Sequence, residues 1–299
     1  MGRRYHTVSL LSDLGLVDET VGVLHAVLRD RAPHARVIDL THQVPVHDVR
    51  AGALALARAV GYLPSGVVLA AVAAGTRRPV ALEVAGGEGV LVGPDNGLLA
   101  AAAAMAGGAE RAVVLDRDEF HMPSPGAPLV ARDVFASVAA HLCNGVDLAD
   151  LGALVDVDSL LPGVVPLPRE MAAGGAQGPG VQAEVLWVDR YGNCQLNVGP
   201  DDLAPWGVQE GAMVQVTFGD ASAPTVRAAA RVPSADGLGS GAIGLALDHT
   251  GMLALVLDRR SAAEELALAA GDQVTLAPLA EGAAAGATAA TPVRLDLRR

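Results

Sequence analysis

Thr7-Val8-Ser9-Leu10-Leu11-Ser12-Asp13-Leu14-Gly15 is the stretch that decides the class of fold. Its apolar run, residues 7–11, has the length of a buried strand, and Ser12-Asp13-Leu14-Gly15 supplies the turn chemistry that ends it. Residues 21–28 then carry apolar side chains at helical spacing, and residues 37–40 form a second strand-like run closed by Thr41-His42. Asp48 offers an N-cap to an Ala/Leu-rich helix over residues 51–60. Residues 67–72, 80–84, 89–92 and 113–115 read as further strands, each bounded by Gly, Pro or Arg. Residues 97–105 and 133–144 read as helices. Strands alternating with helices at this spacing predict an α/β domain whose sheet is mostly parallel.

The pattern changes after residue 160. Leu161-Pro162-Gly163, Pro166-Leu167-Pro168 and the Ala/Gly/Pro run over residues 172–180 read as a linker. Beyond it helical periodicity nearly vanishes, and residues 181–188, 213–218, 242–247, 253–257 and 273–276 read as strands. The expected organisation is an N-terminal α/β domain over 1–165 and a linker over 166–180. A smaller all-β C-terminal domain, barrel or sandwich, spans 181–280, and a flexible tail follows over 281–299.

Composition removes whole classes of function. Of 299 residues, 33 are acidic and 21 basic, for a formal net charge of −12, which opposes a nucleic-acid backbone as the main partner. Every basic residue is Arg, so Schiff-base chemistry, a P-loop lysine and pyridoxal attachment are excluded. Cys143 and Cys194 are too few for a disulfide framework or a cysteine zinc site. Mean hydropathy is high at +0.37, yet no apolar stretch reaches the ~20 residues of a membrane span without Arg, Asp or Gly interrupting it. The expected setting is cytoplasmic, with neither membrane nor nucleic acid as partner.

Four places carry candidate chemistry. Asp13 stands at the end of a strand, where open α/β sheets bind ligands and an acid accepts from ribose hydroxyls; an N-cap or Asx turn is the plainer alternative. Gly93-Pro94-Asp95-Asn96-Gly97 is a tight turn feeding a helix, and its N–H groups suit an anion or serve only the turn. Arg77-Arg78 either holds an anion or is a solvated pair. Asp189-Arg190-Tyr191-Gly192-Asn193 combines an acid, an aromatic and amides able to grip a zwitterion, or simply closes a hairpin. The eight histidines show no metal-ligand spacing, and no metal is expected. From the residues alone, the reading is a nucleotide-like or amino-acid-like ligand.

Taken in order, these motifs resemble the S-adenosylmethionine (SAM) hydroxide adenosyltransferase family, which also contains the SAM-dependent fluorinase and chlorinase. The resemblance rests on Ser12-Asp13-Leu14-Gly15, Val37-Ile38-Asp39-Leu40-Thr41-His42 and Val44-Pro45-Val46-His47-Asp48. It continues through Val92-Gly93-Pro94-Asp95-Asn96-Gly97, Arg132-Asp133-Val134-Phe135 and Val188-Asp189-Arg190-Tyr191-Gly192-Asn193. It implies a homotrimer in which SAM or adenosine lies between the first domain of one subunit and the β-domain of the next. Water or hydroxide attacks ribose C5′ and methionine leaves, with no cofactor. Asp13 carries over as the ribose acceptor. Asp189 and Asn193 carry over as binders of the methionine ammonium and carboxylate, with Tyr191 beside them and His47 beside the ribose. His249, in Asp248-His249-Thr250-Gly251, stands where the family has a Ser in a turn shaping the adenine pocket.

The departures bear on catalysis. The family's Asp-Pro-Gly-Val-Gly loop is replaced by the shorter, acid-free Leu69-Ala70-Ala71-Val72-Ala73-Ala74-Gly75-Thr76-Arg77-Arg78. The family's Phe-His-Gly-Arg-Asp reads Leu129-Val130-Ala131-Arg132-Asp133. Of the water-activating Asp-Arg-His group that the resemblance implies, only Arg77 remains. Three readings follow: a SAM hydrolase with an altered site, a non-catalytic SAM- or adenosine-binding homologue, or a SAM-dependent halogenase.

Overall fold

A computed structural model describes residues 5–164, 166–171 and 179–279. The chain divides into two compact units, Met1–Val165 and Pro166–Arg299. The tail expected over 281–299 lies outside the described residues.

The first unit is an α/β domain on a seven-stranded sheet. Its strands are β1 (Thr7–Ser12), β2 (Arg36–Thr41), β3 (Gly66–Ala71), β4 (Pro79–Val84), β5 (Gly89–Pro94), β6 (Ala109–Val114) and β7 (Ala153–Val155), in spatial order β2-β1-β3-β5-β4-β6-β7. The pairs β2–β1, β1–β3 and β3–β5 are parallel, whereas β5–β4, β4–β6 and β6–β7 are antiparallel. The parallel half is wound with helices α1 (Thr20–Arg31) and α2 (Val49–Val60), and α3 (Ala100–Met105) follows β5. β1 and β3 are buried along their whole length, as strands covered on both faces must be. Two apolar clusters fill the two sides: Leu10, Leu24, Leu69 and Phe135 on one, Leu11, Leu56, Leu91 and Leu98 on the other. Asp48 caps α2 as expected, its carboxylate accepting from the Ala51 N–H at 2.9 Å. The helix expected over 133–144 begins as a wider π turn, Ala131–Ala136, and continues as α4 (Ser137–Cys143).

Two close approaches fix this unit. A Cβ on Gly66 would lie 2.5 Å from the Thr7 carbonyl oxygen, so only glycine lets β3 start flush against β1. In the antiparallel half, Glu83 on β4 is buried and accepts from Arg111 on β6 at 2.5 and 3.0 Å, a fork geometry that also reaches Asp147 at 3.1 Å.

The second unit is a β-barrel. Its strands are β8 (Arg169–Met171), β9 (Gly180–Val188), β10 (Cys194–Leu196), β11 (Met213–Phe218), β12 (Thr225–Val232), β13 (Ile243–Leu247), β14 (Leu253–Val256) and β15 (Gln273–Pro278). Two short helices, α5 (Pro200–Leu203) and α6 (Ala262–Leu266), join them. The order β10-β14-β13-β12-β11-β15-β9 closes on itself because β9 also pairs with β10, and β8 adds to the other end of β9. Closure removes the free edges of a small sheet. Within the segment read as linker, Arg169–Met171 is therefore barrel strand, and residues 172–178 lie outside the described residues. Alternate residues of β11, Val214, Val216 and Phe218, face the core, the period-two pattern that the sequence carries.

Among the described residues no helix is long and apolar enough to cross a membrane. Both cysteines are free and buried; burial pushes the Cys143 thiol up to about 12 and the Cys194 thiol to about 11, so neither is a thiolate at neutral pH.

The turn after β13 gives the barrel a measurable acid dependence. Burial works against the Asp248 carboxylate, but it accepts from the Thr250 hydroxyl, the Gln195 amide and the backbone N–H groups of Thr250 and Met252, which together hold its pKa below the ordinary 3.8. A depressed folded pKa means stabilisation that is complete above the ordinary value and lost as pH falls through the folded one. Asp248→Ala should therefore destabilise the second unit by about 1–3 kcal/mol at pH 7. In denaturant titrations the gap from the unaltered chain should close below about pH 4.

Candidate binding site at the strand ends

The parallel strands β2, β1, β3 and β5 all deliver their loops to one edge of the first unit, and side chains from those loops meet there. Asp13 follows β1 directly. Its Oδ2 accepts the His47 N–H at 2.9 Å and the Ala73 N–H at 3.0 Å, so one carboxylate oxygen ties the loop after β2 to the loop after β3. Both donors have left-handed backbones, His47 at φ 64° and Ala73 at φ 51°. Such a conformation costs a non-glycine residue about 1–2 kcal/mol, and a hydrogen bond to a charged acceptor returns about 1.5–3 kcal/mol. The carboxylate therefore holds two strained loop residues in place. Its Oδ1 meets no protein donor among the described residues, and the side chain is 9% exposed.

The surrounding loops are braced in the same way. The Asn96 amide after β5 donates to the Val72 carbonyl at 3.1 Å. Asp95 is buried, accepts from Arg78 at 2.8 Å and from the Leu161 N–H at 2.8 Å, and so supports the turn rather than binding an anion. The loop after β2 is fixed by His42, buried beneath it, whose Nδ1 lies 2.7 Å from Ser12 Oγ and whose carbonyl accepts the Gly15 N–H at 2.7 Å. The His47 ring is 74% exposed with Nδ1 3.9 Å from Asp13 Oδ2, and Arg77 is exposed on the loop that carries Ala73. Asp13, His47 and the Arg77 loop thus share one edge.

In the second unit, the Asp189 motif is a tight turn between β9 and β10. Asp189 Oδ1 accepts the N–H groups of Tyr191 at 2.8 Å and Asn193 at 2.9 Å, and Oδ2 accepts the Asn193 amide at 2.8 Å. The turn chemistry expected for these residues is thus present, and both Asp189 oxygens are spent on it. Tyr191 and Asn193 line an open cavity of about 420 Å³ together with Asp236, Arg259, Arg260 and Ser261. The two guanidinium groups there are already paired, Arg259 with Asp258 at 3.2 Å and Arg260 with Glu265. His249 is exposed in the turn after β13 and does not line that cavity. Sequence reasoning missed Arg259, Arg260 and Ser261. Their signal is an Arg pair directly before an N-cap serine, whose Oγ accepts from the Glu264 N–H at 3.1 Å.

Comparison with known proteins decides the relationship. Residues 8–152 match the SAM hydroxide adenosyltransferase N-terminal domain and residues 183–275 match the C-terminal domain of the same family. This chain belongs to the SAM hydroxide adenosyltransferase family. A relative from Salinispora tropica, named (R)-S-adenosyl-L-methionine hydrolase, is 41% identical over 275 residues, covering 89% of this chain and 96% of that protein. The crystal structure of an uncharacterised conserved protein from Thermotoga maritima superposes with a TM-score of 0.76 at 27% identity, covering 90% of this chain and 99% of that one. A more distant match, from an Actinoplanes strain and named fluorinase, is 24% identical over 227 residues, covering 67% of this chain and 74% of that protein. The mixed α/β domain followed by a barrel is thus the architecture of a family whose members include hydrolases and fluorinases.

Gly192 is the residue on which the barrel turn depends. Its φ is +82°, and a Cβ there would sit 2.1 Å from Ser261 Oγ and 2.6 Å from Ser261 Cα. Gly192→Ala should therefore push the Arg259–Ser261 segment away from the turn and lower the stability of the second unit by about 1–3 kcal/mol, read as a fall in its thermal midpoint.

Proposed function

We propose that this chain hydrolyses S-adenosyl-L-methionine to adenosine and L-methionine. Water attacks the ribose C5′, the C5′–sulfur bond breaks, the electron pair leaves with methionine as a neutral thioether, and one proton passes to solvent. The observation that supports this most directly is the Asp13 carboxylate at the carboxyl edge of the parallel strands, with one oxygen spent on the loops and the other without a protein donor among the described residues. A carboxylate in that position accepts from the ribose hydroxyls and fixes the sugar. Tyr191, Asn193 and the Arg259-Arg260-Ser261 segment would take the amino-acid end. His47 would flank the ribose and His249 would stand near the adenine end. We further propose a homotrimer in the cytoplasm, the ligand lying between the first unit of one subunit and the barrel of its neighbour.

Catalysis in this reading comes from alignment and desolvation of the attacking water, with Arg77 as the charged group on the shortened loop. The loop over residues 69–78 contains no acid, which favours a second reading, a non-catalytic SAM- or adenosine-binding homologue. The likeness to a fluorinase supports a third, with halide as the nucleophile.

One assay separates the three. The purified chain, given each sulfonium epimer of SAM in halide-free buffer, should release adenosine and methionine in equal amounts, measured by chromatography. The (R) epimer should be the better substrate, as the name of the Salinispora relative indicates. Asp13→Ala should lower kcat/KM by about 10- to 100-fold. Calorimetric binding without turnover would replace hydrolysis by the binding reading, and a 5′-halogenated adenosine formed in fluoride or chloride would establish the third. Sedimentation of the unaltered chain tests the trimer.

A further inference from the structure

One histidine cluster lies beneath the loop after β2, and the functional reading does not account for its convergence on one carboxylate oxygen. His25 projects from α1, Asp39 lies on β2, and His42 follows β2 in the turn. The Nε2 atoms of both rings converge on the same carboxylate oxygen, Asp39 Oδ1, at 2.8 Å from His25 and 3.0 Å from His42. All three ligand atoms lie within 4.8 Å of one another. Burial acts to raise the Asp39 pKa, but hydrogen bonds from His42 and His25 and their positive charge outweigh it, so Asp39 is held in the ionised form.

We propose that His25, Asp39 and His42 form a binding site for a divalent cation of the zinc, cobalt or nickel class. Three observations support it. Two imidazoles and one carboxylate are the donor set that such borderline cations prefer, and they leave further coordination positions for water. The separations of 2.8 and 3.0 Å resemble those between neighbouring ligands around an ion with bonds near 2.0–2.1 Å, so small ring rotations admit the ion. His42 is 3% exposed, and its other nitrogen is pinned by Ser12 Oγ at 2.7 Å, the outer hydrogen bond that orients a metal-binding histidine. His25 and Asp39 are 38% and 45% exposed, which opens a path from solvent. On loading, each ring is neutral with its proton on Nδ1, in His42 donated to Ser12 Oγ, so that the unprotonated Nε2 meets the ion and Asp39 enters as the carboxylate. The ion then clamps α1 to the end of β2 and stiffens the turn that leads to His47. It makes no contact with the reacting atoms, and the assignment stands independently of the proposed hydrolysis.

The test uses the full chain, stripped of metal and dialysed against zinc and, separately, cobalt. A single equivalent should bind, the thermal midpoint should rise, and the cobalt form should show visible absorption. His25→Gln lies on an exposed part of a helix and preserves the fold. It should weaken binding at least about tenfold and abolish both the absorption and the thermal shift, as should Asp39→Asn. His6→Gln, in the separate His6–His34 ring pair, should change nothing. Metal binding that survives both His25→Gln and Asp39→Asn, or no binding by the unaltered chain, would overturn the assignment.

Discussion

The two backbone N–H groups gathered by the Asp13 carboxylate are the constraint on which the binding edge depends. A parallel sheet delivers strand ends to one edge but says nothing about where the loops go next. Here the loop after β2 turns at His47 and the loop after β3 turns at Ala73, both in backbone conformations that non-glycine residues avoid. Neither turn would persist by itself. Each is offset by a charge-assisted hydrogen bond to the same oxygen, so a single acid fixes both loops at this edge. A change at position 13 therefore alters both loops at once and, under the proposed function, ribose binding with them.

The barrel repeats the principle with different residues. Asp189 and Asp248 each spend their carboxylates on the backbone of the turn that contains them, and each turn stands at the end of a strand pair. A chain with few aromatics and an alanine-rich core has little large side-chain volume with which to wedge loops into shape. Carboxylate-organised turns and glycines at close approaches do that work here. Gly192, packed against Ser261, brings the segment after β14 up to the turn after β9 and so creates the only combination of Tyr191, Asn193 and paired arginines among the described residues.

The division of labour explains what could be read from the sequence. The α/β alternation was legible because strands of the parallel half are short apolar runs and α2 has a clear cap and apolar stripe. The direction of β4 was not, since a buried run has the same composition whichever way it points, and the antiparallel half is set by hairpin geometry at Gly86 and Gly87 and by the Glu83–Arg111 pair; β7, three residues long and mostly exposed, gave no readable run. β12 escaped notice because it is half exposed and carries Arg227 and Arg231, and β8 and β10 because they are three residues long. Asp13 was visible from its place after a strand. Arg259, Arg260 and Ser261 were not, because nothing along the chain brings their segment to the turn after β9; nor was the cluster of His25, Asp39 and His42, which joins α1 to β2 and its turn.

The chemistry of the displacement bears on how far the shortened loop matters. Methionine leaves as a neutral thioether, so the departing group needs no general acid. The water loses its proton as the new C–O bond forms, so a base contributes but does not decide whether the reaction proceeds; groups of that kind contribute about 10²–10⁴ in rate. Holding a water in line with the C5′–sulfur bond, in a space from which other water is excluded, contributes as much or more, about 7–11 kcal/mol in well-aligned cases. Under the proposed hydrolysis, the residues that fix the ribose therefore carry more of the rate than a proton acceptor would. In that proposal a weak proton acceptor still leaves an enzyme, provided one Asp13 oxygen fixes the sugar while the other holds the loops.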